Sequence, residues 1–99
     1  MKIITLCGSL KFQKQMMEVA EKLALEGNCI ITPVYPTLEN YERTNEQLEL
    51  LKKAHFKKIE ISDAIFVVNV DNYIGYSTNL EIEYAEKLGK EVMYYQRVK

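Results

Sequence analysis

An acidic residue on the apolar side of a helix is the strongest candidate for chemistry in this sequence. The segment from Ser77 to Gly89 has helical spacing, in which successive side chains rotate by about 100°. Its apolar arc comprises Leu80, Tyr84, Ala85 and Leu88, with Ile82 at the edge. Its solvated arc comprises Asn79, Glu83, Glu86, Lys87 and Lys90. Glu81 projects inward between Leu80 and Ala85. Because an unpaired buried carboxylate is costly, Glu81 is expected to have a partner or a chemical role.

The residues just before Glu81 suggest where a ligand would lie. Gly75, Ser77 and Thr78 precede or open this helix. Ser77 and Thr78 are predicted to cap it, and their hydroxyl and N–H groups could also bind a sugar or a phosphate. Both uses fit the sequence, and together they make this helix start a candidate floor of a ligand site.

A second candidate segment follows the first predicted strand. Gly8 would let a ligand approach the backbone, and the free N–H groups after Ser9 would favour an anion. The alternative is a tight turn in which Ser9 only caps the helix. A phosphatase loop built on Cys7 would need an arginine six residues on, where Gln13 stands, so Cys7 is predicted to be a buried strand-end residue. The chain has neither GxGxxG nor a Walker motif.

Further along the chain, a histidine lies on the inward side of a predicted helix. The inward stripe comprises Leu48, Leu51, His55, Ile59 and Ser62. A lone histidine in such a stripe is more often a core residue than a catalyst, so the role of His55 depends on whether it reaches Glu81. Asp63, which opens a strand, is predicted to make a helix-to-strand junction. The tyrosines on candidate site loops could stack on a base or pack elsewhere; they are Tyr35, Tyr41, Tyr73 and Tyr76.

Size and charge exclude several classes of protein. The 99 residues are predicted to form a single domain spanning 1–99, and the hydrophobic fraction of 47% suffices for a core. The net charge of −1 argues against a partner that is a nucleic-acid polymer or a membrane surface. The one basic run comprises Lys52, Lys53, Lys57 and Lys58, and it is interpreted as a solvated helix face.

The cysteines indicate a reducing compartment. Cys7 and Cys29 lie in apolar, strand-like runs with no signal peptide before them, so free thiols and a cytoplasmic protein are expected. With one histidine and no closely spaced cysteines, the sequence predicts no metal site, and no cofactor is expected. No apolar run approaches membrane-spanning length.

Short apolar runs alternate with longer helical segments. Strands are predicted at Lys2–Cys7, Cys29–Thr32, Asp63–Val70 and Glu91–Gln96. Helices are predicted at Leu10–Glu26, from Thr44 to about Ile61, and at Ser77–Gly89, with loops at Val34–Arg43 and Asp71–Tyr76. This βαβαβαβ order of near-continuous apolar strands predicts an α/β fold with a small, doubly wound, flavodoxin- or Rossmann-like parallel sheet of about four strands. Ligands of such sheets bind beyond the carboxyl ends of the strands.

Three stretches resemble the nucleoside 2-deoxyribosyltransferase family, and in particular its small deoxynucleoside 5'-monophosphate N-glycosidase branch. The first is Cys7-Gly8-Ser9, similar to the CGS of that branch, and the second is Ser62-Asp63 before an apolar strand. The third stretch runs from Ser77 to Ala85 and is followed by Gly89-Lys90. It is similar to G-T-x-x-E-x-G-x-A with a Gly-Lys pair. The order and spacing of the three cover nearly the whole chain.

The resemblance implies a function and a set of roles. It implies that Glu81 is the nucleophile that attacks the anomeric carbon, forming a glycosyl-enzyme ester that passes to water or to a second base. Hydrolysis of a nucleoside 5'-monophosphate is favoured over base exchange, and a non-catalytic nucleotide-binding module is the alternative from another class. The implied partner is a small nucleoside or nucleotide, and a homodimer or larger homo-oligomer is implied as well. The implied substrate-binding residues are Cys7, Gly8, Ser9, Lys11, Gly75, Ser77 and Thr78.

The sequence also departs from the family pattern. His55 stands eight residues before the strand-opening aspartate, where the family has another aspartate, so it is assigned as an acid or an orienting group. Lys11 stands where the N-glycosidase branch has an arginine, which keeps a 5'-phosphate contact open. Thr5 replaces an aromatic residue, Ser77 replaces the motif glycine, and Glu83 stands where a small residue is usual.

Overall fold

A four-stranded parallel sheet forms the centre of the molecule. The computed structural model describes residues 1–37 and 42–97. The strands are β1 (Ile3–Cys7), β2 (Cys29–Ile31), β3 (Ala64–Val67) and β4 (Glu91–Tyr94), in the spatial order β2-β1-β3-β4. All neighbouring pairs are parallel, which confirms the predicted fold class. Because the chain leaves β1 for β2 on one side and returns to β3 on the other, the strand order reverses beside β1.

Three α-helices connect the strands. They are α1 (Gln13–Leu25), α2 (Asn45–Glu60) and α3 (Tyr76–Lys87), and single 3-10 turns lie at Leu10–Phe12 and Val70–Asn72. The predicted first helix therefore begins as a 3-10 turn capped by Ser9. Strands β2, β3 and β4 end earlier than predicted, because each pairs with only three or four residues of its neighbour. Among the described residues, no helix is long and apolar enough to cross a membrane.

The sheet separates two apolar cores. One core, on the side of α1, is formed by Leu6, Met16, Val19 and Val68. The other core lies under α2 and α3 and is formed by Cys7, Ile59, Ile65, Val67, Ile82 and Ala85. Successive side chains of a strand point to opposite faces, so Leu6 faces α1 while Cys7 faces α2 and α3. This alternation decides which strand residues can contribute to a site on the α2–α3 side.

Local signals in the sequence explain how the elements begin and end. Thr44 and Gln47 form the predicted capping box: the Gln47 N–H donates to Thr44 Oγ1 at 3.1 Å, and the Thr44 N–H donates to Gln47 Oε1 at 2.9 Å. Asp63 Oδ2 accepts the Ile3 N–H at 2.8 Å, which confirms the predicted junction role. Gly27, with φ of 100°, ends α1 in a conformation that favours glycine.

The wheel predicted for α3 needs one correction. Ile82, placed at the edge of the apolar arc, is buried, whereas Leu88, placed within the arc, is 42% exposed. The α-helix ends at Lys87, so Leu88 is the C-cap and no longer turns toward the sheet. Of the other predicted positions, Ala85 is fully buried, and Glu83, Glu86 and Lys87 are exposed. Leu80 and Tyr84 of the apolar arc are half-buried, as is Lys90 of the solvated arc.

Candidate active site

Three elements bring Cys7, His55 and Glu81 together. Cys7 ends β1, His55 lies in the third turn of α2, and Glu81 lies in the second turn of α3. His55 Nε2 lies 3.4 Å from Cys7 Sγ and 3.5 Å from Glu81 Oε1. Glu81 and His55 therefore both point inward, as predicted, and His55 reaches Glu81.

The sequence sets each of these side chains in place for a local reason. Cys7 points toward α2 and α3 because it is in register with Val67 of β3 and alternates with Leu6. His55 lies one helical turn before Ile59, which is fully buried against the sheet. Glu81 adjoins Ile82 on α3, and its side chain is only 17% exposed. The three polar groups thus lie at the boundary between the core and the open end of the sheet.

Burial controls the ionisation of this cluster. Burial raises the pKa of Glu81 from 4.5 to about 7, although a hydrogen bond from the Cys7 thiol opposes the rise. Burial and then the charge of Lys58 lower the pKa of His55 to about 4. His55 and Glu81 lie within ion-pair distance, but between these two pKa values both groups are uncharged. Their contact in that range therefore joins an uncharged carboxyl group to an uncharged imidazole.

The Cys7 thiol remains protonated in this environment. Burial, followed by the neighbouring Glu81 carboxylate, raises the pKa of Cys7 well above its usual range. Cys7 is fully buried and does not line the cavity described below. Its predicted strand-end burial is confirmed. The contact with substrate implied by the resemblance stays a prediction, and Cys7 contacts His55 and Glu81.

A cavity of about 840 Å³ opens above Glu81 and His55. Most of the predicted site residues line it, namely Gly8, Ser9, His55, Gly75, Ser77, Thr78 and Glu81. Its volume lies within the range of small-molecule sites in proteins, roughly 300–1,000 Å³. The cavity lies at the carboxyl ends of β1 and β3, beside the point where the strand order reverses, as expected for a doubly wound sheet.

The start of α3 differs from the prediction. The helix begins at Tyr76 with Gly75 as its N-cap, and no side-chain hydrogen bond caps it among the described residues. The predicted capping by Ser77 and Thr78 is therefore wrong, because both residues already lie inside the first turn. The N–H groups of this turn have no acceptor within the helix. They lie at the cavity wall, and the helix dipole there favours an anion.

Two other predicted contributors lie away from the cavity. Lys11 does not line it: the Lys11 Nζ lies 3.5 Å from the centre of the Tyr73 ring, in a cation–π contact. Tyr73 and Tyr76 line the cavity, but Tyr35 packs against the core on the α1 side. Tyr41 lies outside the described residues.

The sequence interpretation missed the cations of the cavity wall. Arg43, Lys52 and Lys58 line the cavity, and the Lys58 ammonium donates to the Thr32 carbonyl at 2.9 Å. Lys52 belongs to the run interpreted as a solvated helix face, yet it lies one turn before His55 on the same side of α2. The three-residue spacing between Lys52 and His55 could have predicted from the sequence that Lys52 lies near the site.

The fold also brings together three potential metal ligands that the sequence did not place near one another. The potential ligand atoms of Cys7, His55 and Glu81 all lie within 4.8 Å of one another. The sequence could not indicate this cluster, because its members are separated by 48 and 26 positions and come together only through the fold.

The same fold occurs in two solved deoxyribosyltransferase structures. A 2-deoxyribosyltransferase from Bacillus psychrosaccharolyticus superposes with a TM-score of 0.78 at 21% identity, covering 98% of this chain and 77% of that protein. A second enzyme of this name, from Leishmania mexicana, superposes with a TM-score of 0.71 at 17% identity, covering 96% of this chain and 64% of that protein. No protein-family model and no curated protein matches the sequence. The chain therefore has the fold of these 2-deoxyribosyltransferases.

Proposed function

We propose that this protein is an enzyme that cleaves the N-glycosidic bond of a nucleoside 5'-monophosphate through a covalent ester on Glu81. The observation that carries the proposal is the Glu81 carboxyl group, buried beside a neutral histidine on the wall of a cavity at the carboxyl end of a parallel sheet. The likeness to two 2-deoxyribosyltransferases and the motif around Glu81 support the same chemistry.

In the proposed reaction, the ionised Glu81 carboxylate attacks the anomeric carbon of the sugar. A carbon–oxygen bond forms as the carbon–nitrogen bond breaks, and the electrons of the broken bond leave with the base, which takes up a proton. Water then attacks the glycosyl ester, which returns the carboxylate and releases the sugar phosphate. No metal or organic cofactor is needed for either step.

The lowered pKa of His55 favours one of its two assigned roles. At neutral pH the imidazole is uncharged, so it holds no extra proton to give to the leaving base. It lies 3.5 Å from Glu81 Oε1, where it can hold the carboxyl group in place. We therefore assign His55 as an orienting group for Glu81 rather than as the general acid.

The proposed phosphate position is the start of α3. The uncapped first turn, with Ser77 and Thr78, offers N–H donors, and Lys52 and Arg43 supply positive charge on the wall of the same cavity. Ser77 and Glu81 are separated by roughly 6 Å along the helix axis, from a rise of about 1.5 Å per residue. That separation suits a pentose whose anomeric carbon faces Glu81 and whose 5'-phosphate faces the helix start.

The rim of the cavity supports a proposed homo-oligomer. Tyr76 is 81% exposed and Leu48 is 50% exposed, and both line the cavity. Exposed apolar and aromatic side chains around an opening are typical of surfaces that pack against a partner. A second copy of the chain seated on this rim would shield the reacting sugar from solvent.

Base exchange is the second candidate, because both similar structures are named transferases. A base-release assay separates the candidates. The protein would be incubated with deoxynucleosides and their 5'-monophosphates, with and without a free acceptor base. Release without an acceptor indicates hydrolysis, and a new nucleoside formed only with the acceptor indicates exchange.

Two variants make this assay specific. Glu81→Gln should abolish turnover, whereas Glu83→Gln, an exposed change two residues away on the same helix, should leave it intact. Near-normal turnover by Glu81→Gln would refute the mechanism. Nucleotide binding without any product from the unmodified protein would indicate a binding module instead.

A further inference from the structure

The cluster of Cys7, His55 and Glu81 has the composition of a zinc site. Thiolate, imidazole and carboxylate are the three ligand types that zinc takes from proteins. The three side chains come from a strand and two different helices, so the folded protein holds them in place before any ion arrives. Among the residues that the structure describes, these three make up the group suited to hold a metal.

Two of the three distances within the cluster fit a tetrahedral ion, and the third has an upper limit of 4.8 Å. Zinc–ligand bonds of about 2.0–2.3 Å at tetrahedral angles place neighbouring ligand atoms roughly 3.3–3.6 Å apart. His55 Nε2 lies 3.4 Å from Cys7 Sγ and 3.5 Å from Glu81 Oε1. With the third separation at or below 4.8 Å, a point equidistant from the three atoms lies within about 2.4 Å of each, close to these bond lengths.

The surroundings of the cluster supply an entry path and a fourth position. His55 and Glu81 line the cavity, while Cys7 forms the buried back of the cluster. An ion can therefore enter from the cavity, and its fourth position faces open space that water can occupy. Three protein ligands with one open position is the arrangement of accessible zinc sites rather than of closed structural ones.

We propose that Cys7, His55 and Glu81 bind a single Zn²⁺ ion and that the bound ion inhibits the protein by occupying the Glu81 carboxylate. Binding replaces the thiol proton, and the carboxyl proton where present, and releases them to solvent. The metal site stands on geometry alone, whereas its inhibitory effect rests on the proposed function. Zn²⁺ and the sugar then compete for the same oxygen atoms of Glu81.

Cobalt provides a direct test of the site, because Co²⁺ takes zinc ligands and is coloured. The reduced, full-length protein would be titrated with Co²⁺ alone while absorption is recorded. We expect a thiolate-to-cobalt charge-transfer band in the near ultraviolet, strong visible bands of four-coordinate Co²⁺, and loss of both on adding equimolar Zn²⁺. Weak visible bands of six-coordinate Co²⁺, or no binding, would overturn the proposal.

Variants assign the ligands. Cys7→Ser should remove the charge-transfer band. His55→Gln and Glu81→Gln should each weaken Co²⁺ binding by at least about 100-fold. Mutating residues that only support the metal ligands weakens binding by up to about 100-fold, so losing a ligand should cost at least that much. Cys29→Ser is the matched control, because Cys29 is the other thiol and is exposed on β2. Loss of the band in Cys29→Ser instead would refute the site. If Cys7→Ser fails to fold by circular dichroism, the two other ligand variants decide the outcome.

The inhibition is tested separately from the binding. If the protein releases base from a nucleotide, saturating Zn²⁺ should stop the reaction, and a chelator should restore it. Cobalt binding without catalysis would leave the metal site established and refute only the proposed function. Full activity with the zinc site saturated would refute the inhibition.

Discussion

Replacing Glu81 with glutamine should stabilise the protein, and the gain should grow with pH. A carboxyl group whose pKa is raised in the folded protein stabilises the fold when it is protonated. For Glu81 this stabilisation is fully present below the unfolded pKa of 4.5, and it is lost as the pH rises through the folded pKa of about 7. At about 1.4 kcal/mol per pH unit, the whole difference corresponds to roughly 3 kcal/mol in alkaline solution. Glutamine has nearly the same shape as glutamic acid and does not ionise, so the Glu81→Gln variant does not lose this stabilisation as the pH rises.

The magnitude can be measured by urea unfolding at two pH values. At about pH 5 the penalty of ionising Glu81 is below about 1 kcal/mol, and at about pH 8.5 it is almost complete. The free energy of unfolding of Glu81→Gln, relative to the unmodified protein, should therefore rise by roughly 2–3 kcal/mol between these conditions. Comparing the two proteins at each pH cancels the titrating groups that lie away from Glu81.

The same measurement on Glu83→Gln serves as the control. Glu83 is exposed on the same helix, so its substitution should change the free energy of unfolding by a small amount that does not grow with pH. A stability difference for Glu81→Gln that stays constant from about pH 5 to about pH 8.5 would refute the raised pKa and the reasoning built on it.

Three further outcomes are expected. With an unphosphorylated nucleoside as substrate, kcat/KM should rise about tenfold per pH unit up to the Glu81 pKa of about 7 and then level off, because the nucleophile must be ionised; a flat profile would contradict this. Lys52→Ala should raise KM for a 5'-monophosphate about fivefold, as expected for loss of one exposed ion pair, and should leave KM for the unphosphorylated nucleoside unchanged. Lys53→Ala should change neither KM value. Gly8→Ala should lower the free energy of unfolding by about 1–3 kcal/mol, because its Cβ would lie 3.0 Å from the Val68 carbonyl oxygen, and an unchanged urea midpoint would disprove that contact.

The order of elements could be predicted from the sequence because hydrophobic periodicity is a local property. Apolar runs identify the four strands, and helical spacing alone places Glu81 and His55 on inward faces. The capping box of Thr44 and Gln47 was predictable for the same reason, because both partners lie within one turn. The element ends were less predictable, since a strand ends where its neighbour stops pairing.

Features that depend on long-range contacts escaped prediction. The contact of Cys7 with His55 and Glu81 joins three elements, so no spacing in the sequence encodes it. Lys52 resembles a solvated lysine in the sequence because only the facing residues turn that side of α2 into a cavity wall. The predicted cap of α3 was wrong because Gly75, Ser77 and Thr78 all fit an N-cap locally, and only the backbone shows that Gly75 occupies it.

The two cores on either side of the sheet can accept substitutions independently of each other. Cys7 belongs to the core under α2 and α3, and His55 and Glu81 lie on those two helices, whereas Met16 and Val19 fill the core under α1. Substitutions that exchange apolar side chains of similar volume on the α1 side would alter stability with little effect on the geometry around Glu81. Among natural relatives, the α1 side should therefore drift faster than the α2–α3 side, and it is the side where stabilising changes can be introduced without disturbing the chemistry.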